Sequence, residues 1–337
     1  MNILVTGGAG FIGSNFIRHM FKTYHNYRIY NFDVLTYAGN LDNLEDISKN
    51  PNYHFIQGDI RNLDEVTEAV KGKDAVIHFA AESHVDRSIL GADDFITTNV
   101  YGTYCLLEAA KKHNIKKFLH VSTDEVYGSI EKDSFTEQSP LNPSSPYSAS
   151  KASSDMLALS YYITHKLPVL VTRSSNNYGP YQYPEKFIPL FITNCLEGEP
   201  LPLYGDGLNV RDWLHVIDNC KAIDTVFHKG SIGEIYNIGS DNEKNNLETA
   251  ELIVELLGKD KNSIRLVKDR LGHDRRYSID STKTKKLGWE PEYDFHNGLT
   301  ETIKWYQQNI SWWEKIKTKK EEYKAFYKNY YVKESRV

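Results

Sequence analysis

Thr6-Gly7-Gly8-Ala9-Gly10-Phe11-Ile12-Gly13, directly after the apolar run Ile3-Leu4-Val5, is the stretch that decides the fold. The run reads as a strand and residues 11–24 as a helix, so the glycines stand at a strand-to-helix turn. Gly7, Gly10 and Gly13 permit a tight turn and let the backbone approach a pyrophosphate, whose charge suits the free N–H groups of a helix N-terminus. Phe11 and Ile12, between those glycines, belong to the same candidate cofactor-binding set. Asp33 stands 20 positions after Gly13, at the end of a second candidate strand. A carboxylate there accepts hydrogen bonds from a ribose diol and repels a 2′-phosphate, which favours NAD over NADP.

Outward from this turn, short β-rich runs alternate with helical patterns. Candidate strands lie at 3–5, 29–32, 54–57, 75–79, 117–122 and 169–173, and candidate helices at 11–24, 63–70, 95–113 and 147–165. Such alternation predicts an α/β fold built on a doubly wound, parallel, Rossmann-type sheet of six or seven strands. After about Asn176 the regularity gives way to Pro and Gly punctuation, from Gly179-Pro180 to Gly207, which marks a smaller C-terminal α/β substrate lobe. The expected division is a cofactor domain over residues 1–175, rejoined by a strand near 234–240, and a substrate lobe over 176–233 and 241–310. A helix is expected at 247–257. Residues 311–337 read as a C-terminal helical tail in which Tyr323, Phe326, Tyr327, Tyr330 and Tyr331 are interspersed with lysines.

Composition narrows the function. A chain of 337 residues has room for one large α/β domain and an appended lobe. A net charge of −5, with no long basic block ahead of the tail, lacks the electrostatic footprint of a nucleic-acid binder. The cysteines, Cys105, Cys195 and Cys220, are scattered without metal-ligand spacing and suit a reducing compartment. Met1-Asn2-Ile3 leads straight into a strand, and no run is apolar and long enough for export or membrane spanning. The expectation is a cytoplasmic protein with no metal, no nucleic acid and no membrane among its partners.

Two further stretches carry chemistry. Pro146-Tyr147-Ser148-Ala149-Ser150-Lys151 spaces a phenol and an ammonium four residues apart, on one face of a helix. The cation favours the phenolate and lowers a pKa of about 10, which makes Tyr147 a candidate base. Thr123-Asp124-Glu125 closes an earlier candidate strand, and adjacent carboxylates in a cleft can be divided by their surroundings into an acid and a base. The expected catalytic set is therefore Thr123, Asp124, Glu125, Tyr147 and Lys151, with the last two also touching the cofactor. Asp59-Ile60, after the third strand, is a candidate adenine contact, and Ala80-Ala81, after the fourth, offers small residues beside the cofactor.

The ordered set TGGAGFIG from Thr6, DVLTYAGN from Asp33, AAESHVDRSI from Ala80, STDEVYG from Ser122, PYSASKAS from Pro146, NNYGPYQYPEK from Asn176, GDGLNVRDWLHV from Gly205 and GHDRRY from Gly272 resembles the extended short-chain dehydrogenase/reductase family of nucleotide-sugar enzymes, and within it the dTDP-glucose 4,6-dehydratases. The resemblance covers roughly residues 1–310. It implies NAD as cofactor, with Asn99 also beside it. It also implies a lyase reaction of deoxysugar biosynthesis, rhamnose included: internal hydride transfer from C4 to NAD to C6, turning dTDP-glucose into dTDP-4-keto-6-deoxyglucose and water. Ser83, His84 and Thr123 are then expected at the sugar. Arg211, Arg270, Asn177 and Asn246 are expected at or near the diphosphate, with Arg275-Arg276 as further guanidinium candidates. Lys186, Tyr204, His273 and Tyr277 match the lobe around the nucleotide, and Asn176 and Pro202 complete the implied substrate set. A homodimer is implied too, with helices 95–113 and 147–165 pairing as a four-helix bundle. Leu271 and the Ser240-Asp241 pair depart from the family's usual proline and Gly-His.

Other readings share these motifs. A 4-epimerase needs only the Tyr/Lys pair and a hydroxyl donor; a decarboxylating synthase or a dehydratase acting on a UDP- or GDP-sugar would look alike. A cofactor-sensing binding protein without activity could use the same fold. The Asp124-Glu125 pair argues for a dehydratase.

Overall fold

The computed structural model describes residues 1–319 and Tyr323. The first half runs β1 (Asn2–Thr6), α1 (Phe11–Thr23), β2 (Arg28–Asp33), β3 (Tyr53–Gln57), α2 (Leu63–Val70), β4 (Ala75–His78), α3 (Val85–Leu90), α4 (Asp93–Phe95), a π-helical stretch (Ile96–Gly102), α5 (Thr103–Lys112), β5 (Lys117–Thr123), α6 (Pro146–His165) and β6 (Val169–Ser174). The second runs β7 (Asn176–Tyr178), α7 (Phe187–Glu197), β8 (Leu201–Tyr204), β9 (Val210–His215), α8 (Val216–Lys229), β10 (Ile235–Ile238), β11 (Glu243–Asn245), α9 (Asn246–Leu256), β12 (Ile264–Val267), α10 (Thr282–Lys285), α11 (Phe295–Gln308) and α12 (Ile310–Lys319).

Seven strands form one parallel sheet in the order β10-β6-β5-β4-β1-β2-β3. The order reverses between β1 and β4, which opens a crevice beyond their carboxyl ends. One face is covered by Phe16 and Met20 of α1 and Ile223 and Phe227 of α8, the other by Val66 of α2, Leu106 of α5 and Ala158 of α6. Because both faces are buried, β4 reads as an unbroken apolar or neutral run rather than an alternating one, and so does β6 as far as Arg173. β10 re-enters this sheet after the chain has begun a second lobe, where strands ordered β11-β9-β7 and β12-β8 pack with α7, α9 and α11.

Local signals explain the placement of the key helix. Ser145 accepts from Ser148 N, Ser148 Oγ is reached by Ser145 N, and Pro146 occupies the first helical position, so α6 starts one residue before Tyr147. The expected single helix over 95–113 is instead divided by the π-helical stretch, and Asn99 in that stretch explains why. Its amide accepts from Glu82 N (2.9 Å) and donates to Glu82 O (3.0 Å) and Ser150 Oγ (2.8 Å), which ties the loop after β4 to α6. The helices α7, α8 and α11 carry no expectation from sequence: α7 is apolar nearly all round, so no period betrays it.

At the C-terminal end of the described chain, Trp312 donates to Asn43 Oδ1 (2.9 Å) and Trp313 to Tyr306 O (2.9 Å), so α12 docks on both halves. Tyr323 is buried with them, while Phe326, Tyr327, Tyr330 and Tyr331 lie outside the described residues.

α1, which follows the glycine turn, is clasped to α8 by His19, Asp224 and His228, with Nε2 of His19 at 2.8 Å and Nδ1 of His228 at 2.7 Å from the carboxylate. Burial opposes ionisation of Asp224, but hydrogen bonds from both histidines outweigh it and hold the pKa at about 2. His228 loses to burial, yet its bonds to Asp224 raise its pKa above the ordinary 6.5. The Asp224 contribution is present above the ordinary 3.8 and is lost as pH falls toward about 2. The His228 contribution is present below 6.5 and is lost as pH rises through the elevated value. Asp224→Asn is therefore expected to destabilise by about 1–2 kcal/mol. Urea midpoints should show the loss to be largest between pH 3.8 and 6.5 and smaller on both sides.

Candidate active site

At the end of β1, Gly7 adopts φ +70°, and a Cβ there would fall 2.6 Å from the Ala80 backbone, so the turn is pressed against the loop after β4. A Cβ on Gly13 would fall 2.3 Å from Gly7 O, which fixes how closely α1 approaches the turn. Gly10 precedes the helix without a side-chain cap, leaving the N–H groups of Phe11, Ile12 and Gly13 without helical acceptors. Asp33 is buried at the end of β2, and its two oxygens accept from Ala9 N (3.0 Å) and Leu35 N (2.8 Å). Free helix-terminal donors beside a fixed carboxylate are the donor set that a dinucleotide's pyrophosphate and ribose diol require, so these residues fit the cofactor implied by the motif.

The weaker candidates divide. Ala80 and Ala81, both half-buried, adjoin the turn, while Ile60 is buried against Gly102, whose added Cβ would meet it at 2.6 Å. Asp59 is paired with Arg61 through both oxygens, at 2.7 Å for the shortest contact. Asn99 spends its amide on Glu82 and Ser150, so it holds the cofactor loop and presents no free donor.

β5 ends at Thr123, and Asp124 and Glu125 open a short 3-10 turn capped by Thr123 Oγ1, which accepts from Glu125 N (3.3 Å). Asp124 is buried; its Oδ1 accepts from Thr123 Oγ1 (3.2 Å), while Oδ2 has no partner. Burial drives the Asp124 carboxyl well above the usual range, and the charges of Glu125 and Asp212 add to the effect. Burial raises Glu125 as well, but the cations Arg270, Arg211 and Lys186 oppose it. Two neighbouring acids therefore sit in different fields: one is driven neutral, and the other is held nearer its anion.

Tyr147 is buried against Val85 and Phe95, and its first-turn position in α6 brings it to the same place. The expected lowering of its pKa by Lys151 is not what the chain by itself produces. Burial raises the Tyr147 phenol, the charge of Glu125 raises it further, and a hydrogen bond with Thr123 pulls only partly the other way. Lys151 Nζ donates to Val121 O (2.8 Å) rather than to the phenol, and burial brings its own pKa down to about 8 despite the attraction of Asp155. The spacing places the cation correctly but says nothing of the desolvation both groups undergo.

From this corner a cleft of about 950 Å³ opens toward the second lobe. Glu125, Ser83, His84, Asn176, Asn177 and Lys186 line its inner part, and Pro202, Tyr204, Arg211, Asn246, Arg270, His273 and Tyr277 line the rest. The residues expected around the substrate are thus brought together. Asp124 and Tyr147 lie behind that lining. The Arg211 guanidinium lies 4.2 Å above the Tyr277 ring and donates to Val210 O (2.7 Å) and Asp274 O (3.0 Å). Arg275 and Arg276 do not reach the cleft: the first pairs with Asp206 (2.9 Å) and the second with Glu243 (2.7 Å).

Sequence reasoning missed two acids of this lining, Asp86 and Glu185. Asp86 accepts from Tyr204 (3.1 Å) and lies 3.7 Å from Arg270. Glu185 accepts from Arg87 (2.9 Å), whose guanidinium sits 4.0 Å over Tyr37. The available signal was His84-Val85-Asp86-Arg87 opposite Pro184-Glu185-Lys186, two charged clusters flanking candidate site residues.

A family model described as GDP-mannose 4,6 dehydratase matches residues 4–302. The low-salt glycan biosynthesis protein Agl12 of Haloferax volcanii is 54% identical over 91% of this chain and 98% of its own length. A crystal structure of the dTDP-glucose 4,6-dehydratase of Bacillus anthracis in complex with NAD superposes with a TM-score of 0.87 at 57% identity, covering 94% of this chain and 99% of that one. That of DesIV, the dTDP-glucose 4,6-dehydratase of Streptomyces venezuelae, with NAD bound, gives 0.92 at 50% identity over 94% and 100%. A match spanning nearly the whole sheet and lobe, on a chain with this turn, this acid pair and this cleft, means that the chain belongs to the GDP-mannose 4,6 dehydratase family.

Proposed function

We propose that this chain is a NAD-dependent hydro-lyase that converts dTDP-glucose to dTDP-4-keto-6-deoxyglucose and water. The observation that carries the reading is the unequal acid pair at the end of β5. A buried, neutral Asp124 adjoins a Glu125 faced by three cations, next to a buried phenol. A 4-epimerase has no use for such a pair. Support for the nucleotide and sugar comes from the dTDP-glucose 4,6-dehydratases that resemble this chain along nearly its whole length.

NAD bound at the glycine turn supplies a hydride acceptor for C4, a hydride donor for C6 and, when oxidised, a positive ring. Tyr147 removes the proton from the 4-hydroxyl, and Thr123 hydrogen-bonds the same oxygen. Burial makes the phenol costly to ionise, so its use as a base depends on Lys151 remaining an ammonium. The C5 proton, acidified by the 4-ketone, goes to Glu125, while Asp124 gives its proton to the departing 6-hydroxyl. Glu125 then returns the proton to C5. Arg211 and Arg270 hold the diphosphate, and the walls of the cleft keep bulk water from the intermediate.

The proposal includes a homodimer in the cytoplasm. Ile96, Tyr101 and Tyr104, before and within α5, and Met156 and Ile163 of α6 are apolar side chains left exposed, the last two at 57% and 65%. A second copy packing these helices into a four-helix bundle would bury them. All three cysteines are unpaired, as a reducing compartment requires.

Two measurements test the reading. With dTDP-glucose, Tyr147→Phe, Glu125→Gln and Asp124→Asn should each lower formation of the 4-keto product by about 100- to 10,000-fold, read as the mass loss of one water. Offered the preformed 4-keto sugar in D₂O, Tyr147→Phe and Asp124→Asn should still exchange the C5 proton and Glu125→Gln should not; exchange by Glu125→Gln at the parent rate would remove its role. In light scattering the parent should be a dimer and the Met156→Lys/Ile163→Lys variant a monomer. A monomeric parent refutes the bundle.

A further inference from the structure

The face of α6 that carries Tyr147 and Lys151 continues at the same spacing to Asp155, so phenol, ammonium and carboxylate stand in one row along the helix. Asp155 is 0% exposed and is held from two strands. Arg173 Nε on β6 donates to its Oδ2 at 2.8 Å, and His120 Nε2 on β5 lies 3.2 Å from Oδ1. Arg173 also donates to Tyr127 Oη (2.8 Å), which donates to Asn237 Oδ1 on β10 (2.8 Å), so the clamp is braced against the edge of the sheet. Asp155, His120 and Arg173 are absent from the cleft lining.

An ammonium removed from water reverts to the amine unless an anion stands near. The groups that bear on Lys151 come from every packed element. His78 on β4 and His120 on β5 are both driven toward the neutral imidazole by burial, so neither offers charge at neutral pH. Asp124 and Glu125 bear on Tyr147, at the other end of the row. Arg173 is ion-paired with Asp155. Asp155, kept ionised against burial by His120 and Arg173, is the anion left to support Lys151.

We propose that Asp155 is a positioning residue for proton abstraction: clamped by Arg173 and His120, its carboxylate keeps Lys151 an ammonium beside Tyr147. The inference rests on the assignment of Tyr147 as base.

The test is the pH dependence of dehydration by holoenzyme, with thermal unfolding as a control for folding. Activity of the parent should fall as pH rises through about 8, where Lys151 loses its proton. Asp155→Asn should move this descending limb to lower pH by about one to two units, with KM for dTDP-glucose unchanged and kcat recovered on the acid side. Asp155→Asn/Arg173→Met, which leaves no unpaired buried guanidinium, should show the same displacement and decides the matter where the single variant does not fold. A limb unmoved in a folded variant overturns the proposal and leaves the base assignment intact, and failure of both variants to fold assigns Asp155 to the core alone. A parent that forms no 4-keto product overturns the underlying reading instead.

Discussion

Taking charge out of water is the constraint on which the rest of this molecule depends. An unpaired buried ion costs several kcal/mol, so each buried acid must have its own partners. Asp33 has two amides, Asp155 has Arg173 and His120, and Asp218 has the amides of Glu292 and Tyr293. Asp212 is held by Ser240 and Asn242. Asp124 has neither a backbone amide nor a paired cation among the described residues: one hydroxyl reaches Oδ1, and Oδ2 has no hydrogen-bond partner there. A carboxyl in that position lowers its cost by keeping its proton, and a proton kept in a cleft is available to a leaving group.

The same constraint joins the two halves of the molecule. Arg87, Asp86 and Ser83, from the sheet side, meet Glu185, Tyr204, Arg270 and Lys186 from the lobe, and Lys186 Nζ donates to Ser83 O at 2.7 Å. These contacts hold the cleft walls in register, with Arg211 and Arg270 in the lining between them. The departures noted in the sequence are local. Ser240 hydrogen-bonds Asp212 and Trp213 O, Asp241 takes φ +59° and pairs with Lys285, and Leu271 is an exposed residue beside Arg270.

The sheet was legible in sequence because buried parallel strands are short apolar runs between punctuated turns, and the glycine loop is a backbone requirement written in residue identity. The proposed acid, base and ammonium groups were legible as candidates because they are spacings along one helix or one strand end. Three things were not. The π-helical stretch depends on Asn99 meeting Glu82 and Ser150, residues distant in sequence from it. α7 is apolar nearly all round and α8 begins in strand-like sequence, which obscures a one-sided pattern, whereas α11 does carry one, with Phe295, Leu299, Thr302, Ile303 and Tyr306 buried on a single face. The electrostatics of Tyr147 depend on burial, and no spacing reports how much solvent a fold removes.

The return of β10 to the main sheet, after the chain has already entered the lobe, has an evolutionary consequence. A single crossover near residue 175 exchanges the lobe only by carrying β10 along with it, which leaves the main sheet with one strand from the other parent. A borrowed lobe in such a lineage therefore arrives only if its β10 also pairs and packs against the resident β6.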